Sequence, residues 1–152
     1  MNLWIVRHGE AEARANRDAE RRLTARGQQQ AAVAGHWLLG KGARPVHIVA
    51  SPYRRARETA AVLAPLLAVA VVESALLVPD SSPQRVVDWL AGQRGDLLLV
   101  SHQPLVSALA GLLVHGDEGA GPPLGTASVA ALAGELAGPG WLEQRALWHA
   151  TE

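Results

Sequence analysis

Four short runs, residues 3–6, 46–50, 69–72 and 96–100, are almost wholly apolar. The stretches between them read as helices, and this alternation constrains the fold more than any other feature. Runs of this length suit buried strands. Thr24 is a candidate N-cap for a helix over residues 25–39, stopped by Gly40-Lys41-Gly42. Ser51 reads as the cap and Pro52 as the first position of a second helix, which runs to about Leu63 and ends near Pro65. Pro83 starts a third helix, stopped at Gly92. Ser101-His102-Gln103-Pro104 leads into a fourth through Leu105, Leu109 and Leu113. Strand and helix in alternation predict an α/β fold, a three-layer α/β/α sandwich with a mostly parallel central sheet. The run at 96–100 reads as a central strand. Residues 116–125 are rich in Gly and Pro and read as a loop. Residues 126–132 and 141–148 then read as an antiparallel hairpin at the sheet edge, turning at Gly138-Pro139-Gly140. No repeat or linker appears, so residues 1–152 are expected to form one domain.

Composition narrows the function. Lys and Arg together number 14, as do Asp and Glu, and net charge is zero. A neutral chain without a basic stripe argues against a nucleic-acid partner. There is no Cys, which excludes disulfides, thiolate nucleophiles and Cys-ligated metal. No apolar run reaches membrane-spanning length, and the N-terminus lacks the pattern of a secretory signal. The expectation is a cytoplasmic protein without a membrane partner.

The ends of three predicted strands carry related chemistry. The first ends in Arg7-His8-Gly9, the second in Ser51-Pro52 with Arg54 and Arg55 just beyond, and the fourth in Ser101-His102. In a parallel sheet all three ends lie on one edge, where ligands of such sheets bind. Arg forks bind phosphate oxygens in bidentate fashion, and helix N-termini favour anions. A neutral imidazole can attack phosphorus and form a covalent intermediate. Neighbouring guanidinium charges would keep that imidazole unprotonated. Arg would also neutralise charge on the transferring group, so no metal and no cofactor is expected. The histidines lack the further ligands a zinc site needs, and no Gly-rich phosphate loop is present.

Together, Arg7-His8-Gly9-Glu10-Ala11, Leu23-Thr24-x-x-Gly27, Ser51-Pro52-x-x-Arg55-Ala56-x-x-Thr59 and Ser101-His102-x-Pro104-Leu105-Val106 resemble the histidine phosphatase superfamily, with its phosphoglycerate mutase-like fold. Within it the chain is similar to the short SixA-type phosphohistidine phosphatases. The resemblance implies His8 as nucleophile, with Arg7, Arg55 and His102 completing the phosphate pocket. It also implies a structural part for Leu23, Thr24 and Gly27. Two carboxylates match positions where relatives carry an acid: Asp80 after the third strand, and Asp18 in the charged stretch before Leu23. Asp80 ranks ahead of Asp18. A phosphoramidate leaves readily once protonated, so a strong protein acid matters little for that substrate. Ser101 is placed either to touch phosphate or to cap the following helix.

Few residues separate the third strand from Pro83, which leaves no room for the inserted roof of larger relatives. An open pocket favours a phosphohistidine protein as partner. A broad-range small phosphomonoesterase is the alternative, and a non-catalytic phosphate-binding module is a third reading. Residues 10–22 read as a solvated loop long enough to cover the pocket. His36, His47, His115 and His149 lie outside the motifs and read as structural, and Arg54 and Arg57 as solvent-facing. Nothing in the chain fixes an oligomeric state, and a monomer suffices.

Overall fold

The computed structural model describes residues 1–150. Its strands are β1 (Asn2–Arg7), β2 (His47–Ala50), β3 (Val71–Glu73), β4 (Leu97–Ser101), β5 (Val129–Ala133) and β6 (Glu143–Trp148). Its helices are α1 (Ala25–Gly40), α2 (Arg54–Leu67), α3 (Pro83–Ala91) and α4 (Leu105–His115). The six strands form one sheet in the order β3-β2-β4-β1-β5-β6. The first four in that order run parallel, and β5 and β6 form the antiparallel edge. This is the predicted three-layer arrangement.

Strand periodicity shows why the inner runs are continuously apolar. Leu3, Ile5, Val49, Leu97 and Leu99 face one layer and pack with α3 and α4. Trp4, Val6, Ile48, Ala50, Leu98 and Val100 face the other and pack with α1 and α2. With both faces covered there is no place for a polar alternate residue. All of β4 is buried, as its sequence requires. Among the described residues no helix is long and apolar enough to cross a membrane.

Local signals set most boundaries. Thr24 caps α1 by accepting from the Gly27 N–H at 3.0 Å. Ser82 caps α3, with Pro83 at its start. Two expectations are corrected. The helix after β2 begins at Arg54, with Tyr53 rather than Ser51 at its N-cap position. It also continues through Pro65 to Leu67. A proline forfeits one backbone bond near the helix end, whereas the extra turn buries Leu67 against the core. Ala68 then ends α2 in a left-handed conformation, with φ of 55°.

The parallel register aligns the functional strand ends. Val6 and Ala50 are both opposite Val100, and Arg7 is opposite Ser101. Ser51, Arg7 and Ser101 therefore begin the next row, with His8 and His102 just past it. The Ser51 and His8 N–H groups continue the ladder to Val100 and Ser101 carbonyls, each at 3.0 Å.

Candidate active site

His8 is buried where β1 leaves the sheet, and its backbone is clamped on every side. The Gly9 N–H donates to Thr59 Oγ1 at 3.0 Å, and the Glu10 N–H donates to Gln30 Oε1 at 2.8 Å. The His8 carbonyl accepts from the Ala127 N–H at 3.0 Å. Two glycines let the first turn of α1 press against this segment. A Cβ on Gly27 would lie 2.0 Å from the Glu10 carbonyl oxygen, and one on Gly9 would lie 2.6 Å from the Gly27 carbonyl oxygen. The Leu23-Thr24-x-x-Gly27 motif is thus the seat on which the His8–Glu10 segment rests.

The hydrogen bonds of His8 fix its chemistry. Nδ1 lies 2.7 Å from the Gly9 carbonyl, an acceptor only, so Nδ1 carries the proton. Nε2 makes no hydrogen bond among the described residues and keeps its lone pair. Burial is the main cause that pushes the His8 pKa down to about 4. The Gly9 carbonyl opposes this, and the charges of Arg55, Arg7 and Arg21 add to it. The ring is therefore neutral at pH 7.

The structure brings Arg7, Arg55 and His102 around this ring. The His8 and His102 rings are 5.1 Å apart. Burial is the main cause that lowers the His102 pKa to about 3; His8, once protonated in acid, and Arg55 add to it, and Asp18 opposes it. Arg7 donates from Nη1 to the Leu124 carbonyl at 3.0 Å, in the Gly/Pro-rich loop. Arg55 is buried and donates to the Asp18 carbonyl at 2.7 Å and to Asp18 Oδ2 at 3.1 Å. Among the described residues, the buried side-chain nitrogens or oxygens without a hydrogen bond are Arg7 Nε, Arg55 Nε and His102 Nδ1. All three belong to the residues around His8. Buried polar groups are paired in the great majority of cases. Three exceptions in one place leave unpaired nitrogens of a kind that can meet an anion.

The other candidates separate. Ser101 Oγ donates to the Leu77 carbonyl at 2.6 Å, which fastens the segment after β3 to the end of β4. Asp80, in that segment, is exposed and its side chain makes no hydrogen bond or ion pair among the described residues. Asp18 instead reaches the site through Arg55. Its partial burial favours the neutral acid, but hydrogen bonds from Arg21 and Arg55 outweigh that and hold its pKa below the ordinary value. Asp18 is thus held as a carboxylate. Residues 10–22 form a braced flap and not a bare loop. An Ala11–Leu23 bridge, a Glu12–Arg22 pair at 3.1 Å and an Arg21–Asp18 pair at 2.9 Å hold it. Arg54 and Arg57 face solvent as expected.

Sequence reasoning took Ser51 for a helix cap and missed its contact with His102, whose Nε2 lies 2.7 Å from Oγ. It also missed Tyr53, whose ring meets His102 edge-on at 5.1 Å and underlies the Arg55 guanidinium at 5.1 Å. The only signal for either was the spacing from Ser51 to Arg55. Among the described residues no group of three or more His, Asp or Glu is placed to hold a metal ion. A neutral imidazole with a free lone pair, two guanidinium groups and a second neutral imidazole can attack phosphorus and neutralise its oxygens.

Known proteins resemble this chain in sequence and in fold. Residues 3–78 match the model of the histidine phosphatase superfamily (branch 1). A phosphohistidine phosphatase SixA homolog of Haemophilus influenzae is 34% identical over 122 residues, covering 72% of this chain and 74% of its own. Phosphohistidine phosphatase SixA of Escherichia coli is 29% identical over 139 residues, covering 86% and 83%. A solved structure of the protein histidine phosphatase SixA complexed with tungstate has a TM-score of 0.90 at 24% identity, covering 99% of this chain and 97% of the other. A mycobacterial glucosyl-3-phosphoglycerate phosphatase shares the fold at a TM-score of 0.73 and 21% identity, covering 99% of each chain.

Proposed function

This chain belongs to the histidine phosphatase superfamily and is a hydrolase, and from that premise we propose that it removes phosphate from phosphohistidine on a protein, with His8 as covalent carrier. The observation that carries this reading is the neutral His8 ring, with its proton held on Nδ1 by the Gly9 carbonyl at 2.7 Å and its Nε2 free. In the first step Nε2 of His8 bonds to phosphorus as the bond to the substrate's imidazole nitrogen breaks. The substrate ring leaves as neutral imidazole, carrying a proton already on its other nitrogen or taking one from solvent water. In the second step water attacks phosphorus, the bond to His8 breaks, and inorganic phosphate departs. Arg7 and Arg55 neutralise the oxygens of the transferring group in both steps, and His102 contributes a hydrogen bond.

The substrate class follows from the likeness to the two SixA proteins and from the short connection after β3. Residues 74–82 hold one 3-10 turn, Ala75–Leu77, and no inserted domain roofs the strand ends. A phosphorylated side chain on a protein surface can therefore approach. Asp18 and Asp80 remain the acid candidates. Asp18, held ionised by two arginines, is poorly suited to donate a proton, which fits a substrate whose leaving group needs little help.

Trapping tests the proposal. Wild-type protein mixed with a phosphohistidine protein should yield an acid-labile phosphoenzyme and rapid phosphate release. His8→Ala should yield neither while unfolding at the same temperature. Residual activity above about one per cent in His8→Ala would remove the nucleophile assignment, since loss of a covalent nucleophile costs far more than that. A sugar phosphate turned over faster than every phosphohistidine protein would replace the substrate class with small phosphomonoesters. A wild-type protein that binds phosphate but forms no phosphoenzyme would leave only a binding module.

A further inference from the structure

Ser51 is fully buried at the end of β2, and its hydroxyl has two partners. The Tyr53 backbone N–H donates to Oγ at 3.2 Å, and His102 Nε2 lies 2.7 Å from the same oxygen. A hydroxyl has one proton and two lone pairs. The Tyr53 N–H occupies one lone pair. If Nε2 of His102 were protonated it would occupy the other, and the hydroxyl proton would be buried without an acceptor. A buried donor left unmade is more costly than the bond it forgoes. If Nε2 instead carries the lone pair, the hydroxyl donates to it and every polar group of Ser51 is satisfied.

We propose that Ser51 is a positioning residue that fixes His102 as the Nδ1–H tautomer, so that His102 meets the phosphoryl oxygens as a neutral N–H donor. Nδ1 is the ring nitrogen left buried without a partner, as are the Nε donors of Arg7 and Arg55. The tautomer turns that orphan into a third N–H group suited to an oxyanion. Because the ring is uncharged at neutral pH, it has one proton to place, and its neighbour decides where. Gly9 and Ser51 thus assign the two imidazoles opposite parts. A carbonyl can only accept, so His8 keeps a lone pair on its free nitrogen. A hydroxyl already accepting from Tyr53 must donate, so His102 keeps a proton on its free nitrogen.

Long-range proton–nitrogen NMR spectra of the full chain read the tautomer directly, with the His102 signals identified by their loss in His102→Gln. The expected wild-type pattern is a protonated Nδ1 and an unprotonated Nε2. In Ser51→Ala the Nε2–H form should appear, and vanadate affinity should fall about tenfold, the scale of one hydrogen bond. Ser51→Thr, which keeps the hydroxyl, should restore both. A wild-type His102 protonated at Nε2 overturns the proposal whether or not any variant folds. So does a Ser51→Ala protein that retains both the tautomer and the vanadate affinity. The inference rests on the phosphoryl-transfer reading of the site, and the two fail separately. Absence of a phosphoenzyme removes that reading, whereas a normal phosphoenzyme beside an Nε2–H His102 removes this inference alone.

Discussion

Acid titration of His8 probes the electrostatics on which the chemistry depends. A histidine with the ordinary pKa of about 6.5 would be only about one quarter neutral at pH 6. With its pKa at about 4, the His8 ring is about 99% neutral there. Only the neutral ring has a lone pair on Nε2, so the nucleophile should persist well below pH 6 and vanish with a midpoint near pH 4. The folded pKa lies below the unfolded one, so the unfolded chain binds more protons between those values. Stability is therefore untouched above about pH 6.5 and drains away as pH falls towards 4, by about 3 kcal/mol for His8. Following the His8 ring by NMR between pH 3.5 and 8, beside unfolding curves in the same buffers, separates nucleophile protonation from loss of fold. Arg55→Gln should return the midpoint only part of the way, because burial outranks charge among the causes. A His8 midpoint near 6.5 in the folded wild type would refute the account of the pocket.

Arg7→Ala and Arg55→Ala should each lower kcat/KM about a hundredfold or more, as loss of one preorganised donor does, with secondary structure by circular dichroism unchanged. Asp18→Asn and Asp80→Asn should each change phosphohistidine turnover by less than about tenfold; a fall of about a hundredfold in either, the scale of general acid catalysis, would identify a required acid. Gly27→Ala should cost about 3 kcal/mol in chemical denaturation and weaken vanadate binding, because the added methyl meets the Glu10 carbonyl. Chelators should leave phosphate release unchanged; inhibition reversed by an added metal would reveal an ion in the mechanism.

What could be read from the chain depended on how local each cause is. The continuous apolar character of residues 97–100 follows from burial on both faces, so β4 was legible as central. Thr24 and Pro83 announce their helices because their signals act within the first turn. Ser51 gave a local capping signal like that of Thr24 but answers to a partner just past the end of β4, His102, and the cap reading failed there. Pro65 signalled a stop, but the burial of Leu67 decided the end of α2. In the site, parallel topology was enough to group Arg7, His8, Arg55 and His102. The link between Asp18 and Arg55 was not legible, because no pattern states how a charged flap folds back. Nor was the Leu124 carbonyl that holds Arg7, since any residue offers a carbonyl.

The contact between Gly9 and Gly27 limits how this apparatus can be moved or rebuilt. Four side chains transplanted to the rim of another parallel sheet would arrive without the helix turn that presses their loop into shape. A working graft would have to carry the opening of α1 along with the end of β1, at a separation that only two missing side chains permit. The transferable unit is therefore a piece of backbone packed on backbone, and position 27, which supplies none of the pocket's side chains, takes no larger residue unless the Glu10 carbonyl gives way.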